Sequence, residues 1–443
     1  MARAVVIGAG VGGLTAGVAL LRAGWDVTVL ERAPKIDPVG SGLAIAANAL
    51  QALDTLDLGA EIRKLSQLHG QAGIRRPGGQ WLVRTSGDDA EARFGDSFVV
   101  ALRATLLDVL IDALGTQRIR LGTTVSAVDT EAGVAHIQTD LARTETGDPG
   151  ATRADVGDAG RDHTEVSNAG ADRAQARGAG PAPTQAEDVV ADLIVAADGI
   201  HSATRQALFP EHPGPVYSGV TAWRGLVPAR GDLTIRSTES WGRGQVFGVH
   251  PLAGGLVYIY ATDVSPAGAV HGDERAELLR RFGDWHEPIP TLLRAADPAH
   301  IIRNDVHYFD TPLPAFHQGK VALLGDAAHP MTPNLGQGAC QAIEDAIVLA
   351  HLVGPGTADA PDRLPDALAA YSAARLERTA RIVKQSMTIC KVTKLRNPVA
   401  VGLRDLAMRV ATRLSPDLML RSMDGLLRWH PPEKAAHPNR SAG

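Results

Sequence analysis

The chain of 443 residues has only two cysteines, Cys340 and Cys390, too far apart for a metal-ligand or redox spacing and too few for a disulfide framework. A protein of the reducing cytoplasm with no bound metal is expected. Basic excess is also missing: the formal charge is −5 and the pI near 6.3. This argues against a nucleic-acid partner and against binding to an anionic membrane surface. No segment holds the ~20 uninterrupted apolar residues that span a bilayer. The opening run "MARAVVIGAGVGGLTAGVALLRAGW" superficially looks like an export signal. Its glycines, however, fall at turn positions and Asp26 to Arg32 continue as a strand, so cleavage would destroy a folding unit. There is no internal repeat. Apolar residues are plentiful, at 44% of a length that suits two or three domains.

Residues 4–8 read as a buried strand, 12–23 as a helix closed by Gly24, and 26–31 as a second strand, a βαβ-type beginning. Residues 103–114 read as an amphipathic helix, 119–139 as a short β-meander and 190–197 as a buried strand. From 141 to 188 the chain is mostly Ala, Gly, Asp, Arg, Thr and Pro with no aromatic residue. Such a stretch buries too little to offset its chain entropy, so a disordered insertion in a hairpin loop is expected. Residues 216–263 are β-rich, with "PLAGG" turning a hairpin, and four of the six tryptophans lie between 81 and 285. Beyond 338 the chain is mostly helical, punctuated by Pro361, Pro365 and Pro398, with a loose tail from 431.

Three motifs carry chemistry. Gly8, Gly10 and Gly13 form G-x-G-x-x-G between strand and helix, and Glu31 ends the next strand. The glycines allow a tight turn, close approach of a pyrophosphate to the helix N-terminus and close helix–strand packing, while the acid accepts ribose hydroxyls. The pattern binds a dinucleotide but does not separate FAD from NAD. The second motif, "LIVAADGIHSATR", ends a strand at Asp198-Gly199 and starts a helix near Ser202; by itself it also reads as an ordinary strand-end turn. The third is "VALLGDAAHPMTPNLGQGACQAIEDA", residues 321–346. Pro330 and Pro333 stiffen its loop, Asp326 is a candidate acceptor for ribitol or ribose hydroxyls, and Gly336 and Gly338 bare the backbone where a helix begins. A helix start without bulky side chains presents N–H donors and partial positive charge, which suits the N1–C2=O edge of a reduced flavin.

These motifs, with "GSGLAIAANALQAL" at 40–53, "LRATLL" around Arg103 and "TAWRG" at 221–225, resemble the class A, single-component FAD-dependent aromatic monooxygenases of the para-hydroxybenzoate hydroxylase fold. The salicylate, 3-hydroxybenzoate and urate hydroxylase branch is the most similar. The resemblance covers most of the chain and implies an α/β fold: a Rossmann-like FAD-binding domain, a β-sheet substrate domain and a C-terminal helical region. It implies a discontinuous FAD-binding domain over 1–75, 100–140, 189–210 and 300–390. The substrate domain would take 76–99 and 211–299, the insertion 141–188, and C-terminal helices and tail 391–443. Carried over by position, Gly8, Gly10, Gly13, Glu31, Arg32, Arg103 and Val125 would hold the adenosine and pyrophosphate. Asp198 and Gly199 would serve FAD and NAD(P)H, and Asp326 the ribityl chain. Gly42, Pro333, Gly336, Gly338, Ala339 and Cys340 would face the isoalloxazine, largely through main chain. Cys340 departs from the Asn that many relatives carry.

The resemblance further implies that NADH or NADPH reduces FAD, that O2 adds at the flavin C4a to give a C4a-hydroperoxyflavin, and that one oxygen atom is delivered to a phenolic or heteroaromatic ring. No second fingerprint on a strand accompanies the first, so NAD(P)H is expected to dock transiently. Alternation along the strands puts Ala222, Arg224 and Leu226 on one face, and Tyr258 with Tyr260 on another. Arg224 is a candidate partner for a carboxylate or phenolate, and His250 or Tyr260 for assisting deprotonation. The same residues also read as a structural ion-pair residue and core aromatics. An epoxidase, a reductase of the same fold or a non-oxygenating FAD-binding protein are the alternatives, and a homodimer is compatible with the sequence.

Overall fold

The computed structural model describes residues 1–36, 41–65, 71–96, 98–140, 184–229, 235–354, 357, 360–414 and 418–432. Strand β1 (Arg3–Ile7) is almost wholly buried because it has neighbours on both edges. It pairs in parallel with β2 (Asp26–Leu30) and with β11 (Leu193–Ala196). Beyond β2 lies β7 (Ile119–Arg120); beyond β11 lie β18 (Val321–Leu323) and then β17 (His317–Gln318), the one antiparallel member. Parallel strands require crossovers. The first is helix α1 (Val11–Arg22), built from Gly, Ala and Leu and buried from Gly13 to Leu20. It packs on α3 (Arg103–Leu114) and α7 (Gly338–Leu352), so the small residues let three helix backbones approach closely.

A seven-stranded sheet forms the second layer, in the order β16 (Ile302–Tyr308), β12 (Val216–Pro228), β15 (Leu256–Val264), β14 (Gln245–Pro251), β13 (Thr238–Trp241), β4 (Gln71–Arg75) and β5 (Trp81–Ser86). All pairings are antiparallel except β13 with β4. Alternation divides its faces. Trp223, Phe247 and Ile259 pack outward against α5 (Glu274–Phe282) and α6 (Ile289–Ala295), burying Phe282 and Trp285. Arg224, Tyr258 and Tyr260 face the other way, toward the first layer. Between the layers run β3 (Gly42–Ile45) and β6 (Val99–Leu102), an antiparallel pair.

Three boundaries differ from those expected. Residues 71–75 and 302–308, assigned by sequence to the first domain, belong to the seven-stranded sheet, where β4 finds its partner in β13 and β16 in β12. Short strands choose a sheet by available edges, which local sequence does not encode. Residues 184–188, counted in the expected insertion, begin β10 (Thr184–Val190), which pairs with β9 (Val134–Asp140) and through it with β8 (Thr123–Asp129). The rest of that insertion, 141–183, lies outside the described residues, as does the tail from 433. The expected meander over 119–139 is divided: β7 joins the parallel sheet, whereas β8 and β9 form a hairpin.

Helix α7 is buried along most of its length, including two adjacent acids, Glu344 and Asp345. They meet α8 (Leu364–Thr393) through Arg375, itself 1% exposed, whose Nε donates to Asp345 Oδ1 at 2.6 Å and whose Nη1 donates to Glu344 Oε2 at 2.6 Å. Arg378 donates to both Glu344 oxygens, and Asn48 on α2 (Ala47–Asp54) adds a bond of 2.6 Å. Burial alone would raise the Asp345 carboxyl; the charges of His329 and Arg375, with bonds from His329 and the Gly325 amide, hold it down to about 2. Removing one partner of a buried ion pair strands the other's charge, at a cost of about 3–5 kcal/mol. Arg375→Met is therefore expected to lower the unfolding free energy by about that amount, read from the urea midpoint at unchanged m-value.

Candidate active site

One cavity of about 1490 Å³ lies between the two layers. Typical ligand pockets run from about 300 to 1,000 Å³, so there is room for a large cofactor and a second molecule. At one end is the fingerprint turn. Gly8 takes φ +102°, and a Cβ at Gly13 would sit 1.9 Å from the Gly8 carbonyl oxygen, so neither position accepts a side chain without moving the turn. The N-cap of α1, Gly10, offers no side-chain bond to the first turn. The amides of that turn, at Val11, Gly12 and Gly13, line the cavity with Arg103 beside them, 3.9 Å from where a Gly10 Cβ would be. Open N–H groups, a helix dipole and a guanidinium together form a site for a pyrophosphate.

The second helix start is α7. A short 3-10 turn over Pro333–Leu335 leads to Gly336 at φ +61°, and Gln337 at the N-cap makes no side-chain capping bond to the first-turn amides, its Oε1 instead accepting from Gln341 Nε2 at 3.0 Å. Pro333, Gly336, Gly338 and Ala339 line the cavity, and Asp326 Oδ1 lies 3.9 Å from where a Gly338 Cβ would be. The Asp326 side chain opens into the cavity rather than packing into the core. The surrounding protein shell nonetheless pushes its carboxyl above the usual range, against the charges of His329, Arg103 and Arg224. A carboxylate acceptor beside a bare helix start suits a polyhydroxyl chain ending in a ring that gains negative charge. These groups fit FAD: the two helix starts would take its pyrophosphate and its ring, and Asp326 its ribityl chain.

The seven-stranded sheet supplies the opposite wall. Arg224 lies directly across from Tyr260 and donates to Asn304 Oδ1 at 3.2 Å. Tyr258 is beside Arg224, and its ring covers Gly42, where a Cβ would come within 2.4 Å of it. Tyr260 donates its hydroxyl to Glu239, a short contact, and Trp241 Nε1 donates to the same carboxylate at 2.7 Å. His250 stacks on Tyr260 with ring centroids 5.6 Å apart and its Nδ1 is 2.6 Å from Ser237 Oγ. Burial lowers His250 to about 4 and raises Glu239 above the ordinary carboxylate range. Tyr260 is pushed well above its usual value, by burial first and then by Glu239.

The expected residues thus divide. Gly10, Gly13, Gly42, Arg103, Gly199, Asp326, Pro333, Gly336, Gly338, Ala339, Arg224, His250 and Tyr260 all meet in the cavity. Gly8, Glu31, Arg32, Val125, Asp198 and Cys340 are outside its lining. Glu31 instead braces the turn, accepting from the Ala9 and Ala33 amides at 2.8 and 2.9 Å. Arg32 is exposed, and Val125 is a half-buried residue of β8 itself, just before its register with β9 shifts. Asp198 accepts from the Thr204 amide at the start of α4 (Ala203–Leu208), and its Oδ1 is buried without a partner. Cys340 turns its thiol inward to accept from the Ala46 amide at 3.5 Å, and burial raises it to about 12, so it fastens α7 to β3 instead of facing the cavity. The sequence reading missed Glu239. Its one signal was an acid inside a strand of Thr, Ser and Trp, where a charge is retained only with partners.

The chain matches the family described as "FAD binding domain" over residues 1–242 and 294–386. It is 36% identical over 408 residues to aurachin C monooxygenase/isomerase of Stigmatella aurantiaca, covering 92% of this chain and 93% of that protein. It is 30% identical over 412 residues to the FAD-dependent urate hydroxylase of Mycolicibacterium vanbaalenii, covering 89% and 90% of the two chains. The crystal structure of Klebsiella pneumoniae HpxO complexed with FAD and uric acid is similar with a TM-score of 0.75 at 26% identity, covering 96% of this chain and 98% of that one. Fold, cavity and kinship agree: the chain belongs to the FAD binding domain family, among the class A flavoprotein monooxygenases.

Proposed function

We propose that this flavoprotein hydroxylates an aromatic small molecule seated between the start of α7 and the Arg224–Tyr258–Tyr260 face of the sheet, with NADH or NADPH as reductant. The observation that carries this reading is the juxtaposition, in one cavity, of two uncapped helix starts and a half-buried cation–phenol–carboxylate cluster. When bound, FAD supplies the redox and O2 chemistry, accepting two electrons from the nicotinamide and passing one oxygen atom to the ring. The chain's own groups orient the ring, exclude bulk water and manage its acidic proton.

Arg224, held by Asn304, pairs with the substrate's phenolate or carboxylate. The proton lost from the ring passes to Tyr260 oxygen while Tyr260 gives its own to Glu239, the acceptor already in contact. Burial moves the two candidate bases in opposite directions: it makes Glu239 a stronger base and His250 a weaker one. The base role expected of His250 is therefore reassigned to Glu239, and His250 becomes the stacked support of Tyr260. Past this cluster the cavity runs on to Ile389, Val392, Met408 and Leu420, an apolar end suited to an aliphatic substituent on the aromatic ring.

Three outcomes are expected. In assays of substrate-stimulated NAD(P)H oxidation, Glu239→Gln lowers kcat by about 10²–10⁴-fold with flavin content intact, while Arg224→Ala acts mainly on KM. Turnover of a panel of phenolic and heteroaromatic compounds that shows no stimulation and no hydroxylated product would refute the reading. Along a series of alkyl-substituted aromatics, KM falls by about fourfold per added methylene until the apolar end is filled. Folding also holds His250 neutral to about pH 4, whereas in the unfolded chain it titrates near ~6.5. The unfolded state therefore binds more protons between these values, and stability falls as pH drops from about 6.5 toward 4. His250→Gln flattens that slope in denaturant titrations repeated across the range.

A further inference from the structure

Helix α9 (Pro398–Leu414) is amphipathic in the unusual sense: it turns the charged pair Arg404 and Asp405 inward and its leucines outward. Inward, Arg404 and Asp405 are buried and bonded to each other at 2.8 Å. Asp405 accepts from Arg76 Nε at 2.7 Å, Arg404 donates to the Gly242 carbonyl, and its guanidinium lies over Trp241. Met408, Ala411 and Thr412 on the same side line the cavity. Outward stand Val399, Leu403, Leu406, Val410 and Leu414, 69%, 63%, 56%, 43% and 81% exposed. Their spacing of four, three, four and four places all five on one face. The inward polar bonds fix the helix in this orientation, so the stripe faces solvent as part of the fold.

The charges beside the stripe have one sign. Arg409 and Arg413, both exposed, follow Leu406 and Val410 by three residues and so border the face. From 391 to 428 the sequence has eight Lys and Arg against three Asp, within a chain whose net charge is −5. A second copy of the chain docked on this face about a two-fold axis would bring arginines to a surface whose only acid within α9, Asp405, is buried and already paired. An anionic bilayer complements both features, taking the leucines into its acyl boundary and the arginines at its headgroups.

We propose that α9 is an interfacial docking helix that seats the protein on an anionic membrane surface. Since the other side of α9 is a wall of the cavity, docking places that wall at the bilayer. This revises the expectation from net charge alone, which averages over a strongly local asymmetry. The stripe is short and lies flat; among the described residues no helix is long and apolar enough to cross a membrane.

The test is co-sedimentation of the full-length, FAD-loaded protein with vesicles of equimolar phosphatidylglycerol and phosphatidylcholine, against vesicles of phosphatidylcholine alone. The wild-type protein is expected to pellet with the anionic vesicles and to be released by salt. Arg409→Gln with Arg413→Gln is expected to weaken binding by about thirtyfold. Leu403→Gln with Leu406→Gln is expected to abolish it while bound flavin and activity in solution stay unchanged. Three results would each overturn the proposal: wild-type protein left in the supernatant, undiminished binding by the leucine variant, or light scattering that shows a dimer of 46.5 kDa chains dissociated by that variant. The last would make the stripe a contact between copies. Vesicle binding is read without turnover, so its failure is distinct from failure of the hydroxylase reading.

Discussion

The cavity depends on a set of buried charges that are satisfied only when separate parts of the chain come together. Asp345 takes bonds from the Gly325 amide at 3.0 Å, from His329 at 2.6 Å and from Arg375 at 2.6 Å. Its neighbour Glu344 takes Asn48, Arg375 and Arg378. The turn of 325–329, helix α2 and helix α8 are thereby referred to two adjacent carboxylates on α7, about two turns inside the helix start that faces the cavity. An unpaired carboxylate in the interior costs several kcal/mol. Arrangements that misplace any of these elements are penalised accordingly, and the glycine-bared amides are held at a fixed place relative to Asp326. Hydrophobic burial around α1 and α7 stabilises the fold, while these ions select one geometry for the site.

Sequence was most informative where local chemistry has a single solution. The turn at Gly8 to Gly13 is legible because the backbone there cannot carry a side chain, and the loop from Gly325 to Gly338 because proline and glycine together specify a rigid, bare helix start. It was least informative where non-local pairing decides. Residues 71–75 and 302–308 joined the second sheet because β13 and β12 offered edges there, which neither segment records in its own composition. Cys340 illustrates a third limit: the spacing put it at the helix start, but only the packing shows that its thiol points to Ala46 and away from the cavity.

The polar cluster on the sheet shows why residue type is a weak guide to role. A histidine and two tyrosines are the obvious acid–base candidates in a β-rich segment, and all three are in the cavity. Desolvation penalises a charged carboxylate and a charged imidazole alike, yet in opposite protonation states, so the same enclosure makes Glu239 basic and His250 inert near neutral pH. Which group handles a proton is thus determined by burial, a property of the assembled layers.

The parallel pairing of β4 with β13 joins residues 71–75 to residues 238–240, and the far edge of the same sheet is closed by residues 302–308. Neither layer is made from one contiguous stretch. During synthesis the early hairpin of β4 and β5 must wait, without its sheet, until more than half of the polypeptide has emerged from the ribosome. A nascent-chain intermediate with this exposed edge is a natural client for chaperones, and excising either layer as an independent fragment would leave the other incomplete.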